Sequence, residues 1–378
     1  MSNQKKKSKA VPVVIILAVL MAALCVGCFF ADDAIRAYHD DKLAKEQAAV
    51  QARNIEADQE YAAALARFQA ETESGANLAW PDHANEGWDI IDLTTYPLES
   101  AYTQTMYRSD IMNNGMLLVN QWHSRPDLFD ETAISSIGKY TGGKIQVQDY
   151  NVMLFPVAIE ALKAALDDAE AEGLTHYLVS EGYRTWDTQN NYFQAKVKKL
   201  ESKYEDEEEL IAAAKKEVNY PGTSEFNSGM SFTLRLYDKT DAEVGKPKYS
   251  TTAQGKWMNE NCWKYGLIFR FPLADWPLEG TADKSFKTGI STELNLYRYV
   301  GKGNAAVMHV LDLCMEEYIE YLQEHSHIAV FENGKLKYEI VRQYVGDEDV
   351  FTVTLTGKAN SYVSSLDNMG GVITVFEY

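Results

Sequence analysis

Glu260-Asn261-Cys262-Trp263-Lys264-Tyr265-Gly266-Leu267-Ile268 is the stretch that decides how this chain is read. Residues 255–266 read as a helix that ends at Gly266. Residues 267–271, Leu-Ile-Phe-Arg-Phe, follow at once as a short apolar and aromatic strand. A helix feeding directly into a strand is a unit of a mixed α+β core.

The flanks continue that mixture. Residues 116–120 read as a short apolar strand, and residues 155–171 as an amphipathic helix with Ile159, Leu162 and Leu166 on one face. Residues 176–179 are a strand candidate, and residues 184–199 and 207–218 are helical. Pro221-Gly222 breaks the chain before a strand over 231–236. Residues 294–300 alternate as a strand, and 304–324 read as one long amphipathic helix. This is an α+β domain over residues 115–325. Beyond it, residues 326–378 change to short β runs, with an Asn-Gly hairpin signal in Phe331-Glu332-Asn333-Gly334-Lys335 and strands over 350–355 and 372–376. They predict a small all-β appendage. Residues 79–114, with Trp80, Trp88 and many tyrosines, form an adaptor segment.

The formal charge of −19, from 36 basic and 55 acidic residues, disfavours nucleic acid as a partner, because nucleic acid needs a basic stripe. Of the four cysteines, Cys25 and Cys28 lie in an N-terminal apolar run, and Cys262 and Cys314 read as buried free thiols. Residues 1–10 carry Lys5, Lys6, Lys7 and Lys9, a cytoplasmic basic tail. Residues 11–30 are continuously apolar apart from glycine and proline, enough as a helix to cross about 30 Å of hydrocarbon. Two readings stay open, an uncleaved transmembrane anchor and a lipoprotein signal ending at Cys28. Both tether the bulk of the chain outside the membrane. Residues 31–78 are rich in helix formers and form a stalk. Leu43, Val50, Ala57 and Ala64 recur every seven residues, with Gln47 and Asn54 interrupting the seam, so a dimeric coiled coil and a single-helix spacer both remain open.

Several stretches now line up with one family. Leu117-Leu118-Val119-Asn120 with His123 and Pro126, then Glu181-Gly182-Tyr183-Arg184-Thr185 with Gln189, resemble its entry strand and its Ser-Gly-Tyr-Arg-Ser element. Pro221-Gly222-Thr223-Ser224-Glu225 leads into its first metal motif, residues 260–268 resemble its Glu-Asn-Ala-Trp-Lys-Tyr-Gly-Phe helix end, and Glu293 through Arg298-Tyr299-Val300-Gly301 resembles its last motif. Over residues 115–325 the chain resembles the VanY-type D-alanyl-D-alanine carboxypeptidases, zinc peptidases of the bacterial cell wall with a VanY/Hedgehog-like fold.

That resemblance implies a zinc ion held by His, Asp and His, with a glutamate as general base for the metal-bound water. In this chain the three ligand slots hold Phe226, Thr233 and Leu296. Phenylalanine and leucine have no lone pair to offer, and a neutral threonine hydroxyl is a poor zinc ligand. The family's cofactor is therefore predicted to be lost, and Glu293 becomes a remnant general base with no acidified water to deprotonate. None of the seven histidines falls inside the two metal-motif segments. His325 and His327 have metal-like spacing but close a helix and open the β region, where capping or surface roles suit them.

By the same resemblance Arg184 and Gln189 line the substrate pocket, where a guanidinium suits a planar oxygen pair. The competing reading is that Arg184 pairs with Glu181 and only braces the fold. Glu225 reads as a turn residue. The expected function is a membrane-tethered, carboxypeptidase-like protein without zinc that binds a peptidoglycan stem peptide or a cell-wall protein. Two rivals stay open: an active enzyme with relocated ligands, and an interaction protein that works through its stalk and β tail.

Overall fold

In the computed structural model, residues 87–127 and 129–378 are described, together with Lys45. The anchor expected at 11–30 and the stalk expected at 31–78 lie outside the described residues, Lys45 apart. No helix among the described residues is long and apolar enough to cross a membrane.

The strands run in chain order as β1 (Trp88–Asp92), β2 (Ala101–Tyr107), β3 (Ser135–Ser136), β4 (Gln146–Val147), β5 (Met153–Leu154), β6 (Tyr177–Glu181) and β7 (Ser231–Leu236). They continue as β8 (Leu267–Phe269), β9 (Leu296–Tyr299), β10 (His327–Glu332), β11 (Lys335–Tyr344), β12 (Val350–Thr356), β13 (Ser361–Leu366) and β14 (Gly371–Glu377). One five-stranded sheet has the order β4-β6-β7-β9-β8 and carries the candidate site. A second has the order β1-β10-β11-β14-β13, and β2 and β12 form a two-stranded ribbon. The segment 79–114 thus supplies β1 and β2, which pair with β10 and β12 of the C-terminal β region.

The helix Pro156–Ala171 begins with proline at its first turn, where no intrahelical N–H is needed. It buries Ala158, Ile159, Ala161, Leu162, Ala165 and Ala169, spaced three or four apart, in the same core as Val179, Phe232 and Leu234 of the sheet. Leu166 packs at the margin of that core. The helix Trp186–Leu200 starts after Thr185, whose side chain accepts from the Thr188 amide.

The 260–268 stretch forms the expected junction. The helix Ala253–Asn261 tightens to a 3₁₀ turn over Cys262–Tyr265, and Gly266 ends it at φ +82°. A Cβ on Gly266 would lie 2.9 Å from the Gly301 carbonyl carbon, so this crossing needs glycine. Cys262 and Cys314 are both buried and free.

Two expected elements differ. Residues 116–120 pair with no strand. Side chains take carbonyls along the segment: Arg298 donates to those of Leu117 (2.8 Å) and of Gly115 just before (2.7 Å), and Asn368 to Leu118 (2.8 Å), while the Leu118 amide donates to the Asp367 carbonyl. The long helix expected over 304–324 is two helices, Lys302–Val310 and Met315–Glu324. Asp312 at φ +50° turns the chain, and the Glu317 carboxylate accepts from the Cys314 amide to start the second helix. The Asn-Gly hairpin is present between β10 and β11, with Asn333 and Gly334 at φ +50° and +75°.

Candidate functional site

Three adjacent strands set the site. Glu181 on β6 stands opposite Thr233 on β7, and Thr233 stands opposite Leu296 on β9. Directly opposed residues share a face of a sheet, so their side chains form one row. Phe226 arrives from the 3₁₀ turn Glu225–Ser228, just before β7. The Asn227 amide pins that turn to the end of β6, donating to the Arg184 carbonyl (2.7 Å), while the Arg184 N–H donates to the Phe226 carbonyl (3.0 Å).

The middle of the site is apolar. Phe226, Phe271 and Leu296 form a buried cluster with Ile290 against it. They help line a cavity of about 460 Å³, together with Thr233, Glu181, Arg184, Gln189 and Tyr192. The Thr233 hydroxyl is 2.9 Å from that of Ser180. Two aromatic rings and an isobutyl group give no lone pair, and the hydroxyl already has a partner, so these residues do not fit a zinc ion. Among the described residues, no three His, Cys, Asp or Glu side chains are grouped to hold a metal.

The structure brings Arg184 and Gln189 together. Arg184 Nη1 donates to Gln189 Oε1 (3.0 Å), and Gln189 Nε2 donates to the Asn219 carbonyl (2.7 Å). Arg184 Nε donates to Glu181 Oε1 (2.5 Å), so the pairing with Glu181 weighed as the bracing role is present. Its guanidinium carbon lies 4.2 Å from the centre of the Phe226 ring and 5.0 Å from that of Tyr192. Glu293 is not among the residues lining the cavity. It pairs with Lys248, and its Oε1 is buried with no hydrogen-bond partner among the described residues.

Glu225 does more than the turn role expected of it. It is 4% exposed and stands between two fully buried arginines. Arg270 Nε donates to its Oε2 (2.8 Å), Ser231 Oγ to its Oε1 (2.6 Å), and Arg298 pairs with it as well. Arg270 also makes a bidentate pair with Glu316, at 2.9 and 2.7 Å. Burial alone would raise the Glu225 pKa, but the guanidiniums of Arg298 and Arg270 overcome it and hold the carboxyl at about 2. A sequence signal for this hub exists in Phe269-Arg270-Phe271 and Tyr297-Arg298-Tyr299, because a charge inside an aromatic run needs a buried partner.

Three of the described histidines are engaged elsewhere. His325 pairs with Asp92 (2.9 Å) and His327 with Glu339 (2.6 Å). His309 stacks on Trp263 at 4.3 Å, and burial with the nearby Lys264 charge pushes its pKa down to about 4.

Residues 151–302 match the family model VanY, D-alanyl-D-alanine carboxypeptidase. The chain is 28% identical over 281 residues to a D-alanyl-D-alanine carboxypeptidase of Enterococcus faecium, an alignment covering 74% of this chain and 80% of the relative. It is 31% identical over 238 residues to the putative carboxypeptidase YodJ of Bacillus subtilis, covering 61% of this chain and 78% of the relative. A crystal structure of the vancomycin resistance D,D-dipeptidase VanXYg, in complex with a D-Ala-D-Ala phosphinate analog, superposes with a TM-score of 0.54. That match covers 74% of this chain and 99% of VanXYg at 20% identity, a likeness of fold. This mixed helix-and-sheet chain belongs to the VanY family of D-alanyl-D-alanine carboxypeptidases.

Proposed function

We propose that this chain is a VanY family member without hydrolytic activity that works as a binding protein at the bacterial cell wall. One observation carries the reading: Phe226, Phe271 and Leu296 occupy the middle of the site as a buried apolar cluster. Hydrolysis by the family's route needs a metal-activated water and a base beside it. Here the donor set does not suit the metal, and the carboxylate proposed as the remnant base, Glu293, turns to Lys248. An active enzyme with relocated ligands would need a new donor cluster, and none is present among the described residues.

The partner in this reading is a peptidoglycan stem peptide or a cell-wall protein. Its support is the name of the relatives, D-alanyl-D-alanine carboxypeptidases, and the cavity of about 460 Å³ that remains. The apolar run at 11–30 holds the domain outside the membrane, and residues 31–78 space it from the surface. The test is metal analysis of the purified full-length chain, with release of D-alanine from a stem pentapeptide measured on the same sample. The expected result is substoichiometric zinc and no release. One zinc per chain together with D-alanine release would overturn the proposal.

A further inference from the structure

Arg184 is the single cation among the described residues lining the cavity, and the carboxylate it meets is that of Glu181; Glu217 and Glu225 also line the cavity. Three of its five N–H donors are already committed. Nε and Nη2 both go to Glu181, and Nη1 goes to Gln189. Gln189 is 1% exposed and its own amide N–H is spent on Asn219, so it is fixed. Glu217 pairs with Lys196, and Glu225 with the two buried arginines. The cavity therefore has no lining cation whose charge is left unbalanced.

We infer that this cavity accepts a peptide amide and turns away a free carboxylate, with Glu181 as the residue that sets the preference. This rests on the reading that no metal is held between Phe226, Thr233 and Leu296. A carboxylate entering beside Arg184 meets the Glu181 carboxylate at close range, and like charges in a partly desolvated site repel strongly. To be bound it has to displace Glu181 from the guanidinium. An amide has no such conflict. Its N–H can donate to Glu181 while its carbonyl accepts one of the two remaining Arg184 N–H groups. The hydrocarbon of the ligand is then left to Phe226, Tyr192 and Leu296, which give the cavity its apolar wall. An amide group with this geometry occurs at an amidated chain end and at an internal peptide bond.

The test uses the full-length chain and two probes that carry no other amide, propionate as the acid and propionamide as the amide, titrated by calorimetry at neutral pH. The amide should bind at least tenfold more tightly than the acid. In Glu181→Gln the acid should gain at least tenfold, because the Arg184 charge is released, and the amide should change much less. An acid that binds as well as the amide in the parent, an acid affinity unmoved in Glu181→Gln, or no binding of either probe would each sink the inference. The parental ratio decides the matter alone if the variant does not fold. Internal-bond and chain-end sources separate with a third probe, N-methylpropionamide, whose amide is secondary like that of an internal peptide bond. Zinc content and D-alanine release on the same samples keep the two claims apart. Zinc with release removes the proposed function, whereas the wrong ratio in a metal-free, inactive sample removes this inference only.

Discussion

Replacing Glu225 by glutamine tests what holds the site together. The carboxylate is the acceptor for both Arg270 and Arg298, and it is buried. Arg270 keeps its bidentate pair with Glu316, but Arg298 keeps only neutral carbonyl acceptors. Breaking a buried ion pair from one side costs about 3–5 kcal/mol. The pKa leads to a similar figure. A carboxyl held at about 2 against an ordinary 4.5 corresponds to about 3 kcal/mol at neutral pH. The sign follows from the depressed value. Between pH 4.5 and about 2 the unfolded chain binds a proton that the folded chain does not, so this stability is present above pH 4.5 and disappears as pH falls through that window. In urea melts at pH 7 Glu225→Gln should lose about 3–4 kcal/mol, a drop of roughly 10 °C in Tm. Its stability should also fall less steeply than the parent's between pH 4.5 and 2. A variant within about 1 kcal/mol of the parent at pH 7, well short of the usual cost, with the same acid limb, would refute the account of Glu225 as the hub.

Three further outcomes follow from the structure. Phe226→His, Thr233→Asp and Leu296→His made together should bind one zinc per chain by metal analysis, while each single change binds none; a triple variant without zinc would show that the cavity walls no longer present these slots to one point. Burial of His327 lowers its pKa, but the Glu339 carboxylate and the Tyr96 carbonyl, each facing one ring nitrogen, raise it above 6.5 overall. This contribution is complete below pH 6.5 and is lost as pH rises through the raised value, so His327→Gln should flatten stability measured from pH 6.5 upward. Gly266→Ala forces φ +82° on an alanine and pushes its Cβ against Gly301. It should cost about 1–3 kcal/mol in a chemical melt, and an unchanged midpoint would mean that the helix-to-strand junction tolerates more movement than the packing allows.

What was legible in the sequence is what carries a local signal. Gly266 after a helix, Asn333-Gly334 between two β runs and the strand over 231–236 after the Pro-Gly break each state their conformation within a few residues, and each is found. The segment 116–120 has the composition of a strand, but whether it pairs depends on Arg298 and Asn368, far along the chain, which take its carbonyls. The partners of β1 and β2 are more than two hundred residues away, beyond any periodicity. The break in the helical pattern near Asp312 was legible only in hindsight, through Glu317 as a cap for Cys314. At the site, the resemblance picked out Phe226, Thr233 and Leu296; β7 and β9 place Thr233 opposite Leu296, and the turn before β7 brings Phe226 into the cluster with Leu296.

The same contrast accounts for how the frame stands with Phe226, Thr233 and Leu296 in the slots where the family resemblance places metal ligands. Glu225 and Phe226 are adjacent in one turn, yet they do opposite things. Phe226 faces the cavity under Arg184, and Glu225 turns into the core between Arg270 and Arg298. Arg298 reaches on to the 115–117 backbone, and Arg270 to the helix Met315–Glu324 through Glu316. The turn, β9, the entry segment and the last helix are therefore cross-linked by ion pairs and by arginine hydrogen bonds to backbone carbonyls that need no metal. A ligand slot in such a frame can become a ring or an isobutyl group without releasing the strands. The cavity surface is shaped by apolar packing and by the Arg184–Glu181 pair, and in the reading we propose, charge at the ligand's end is the property on which it discriminates.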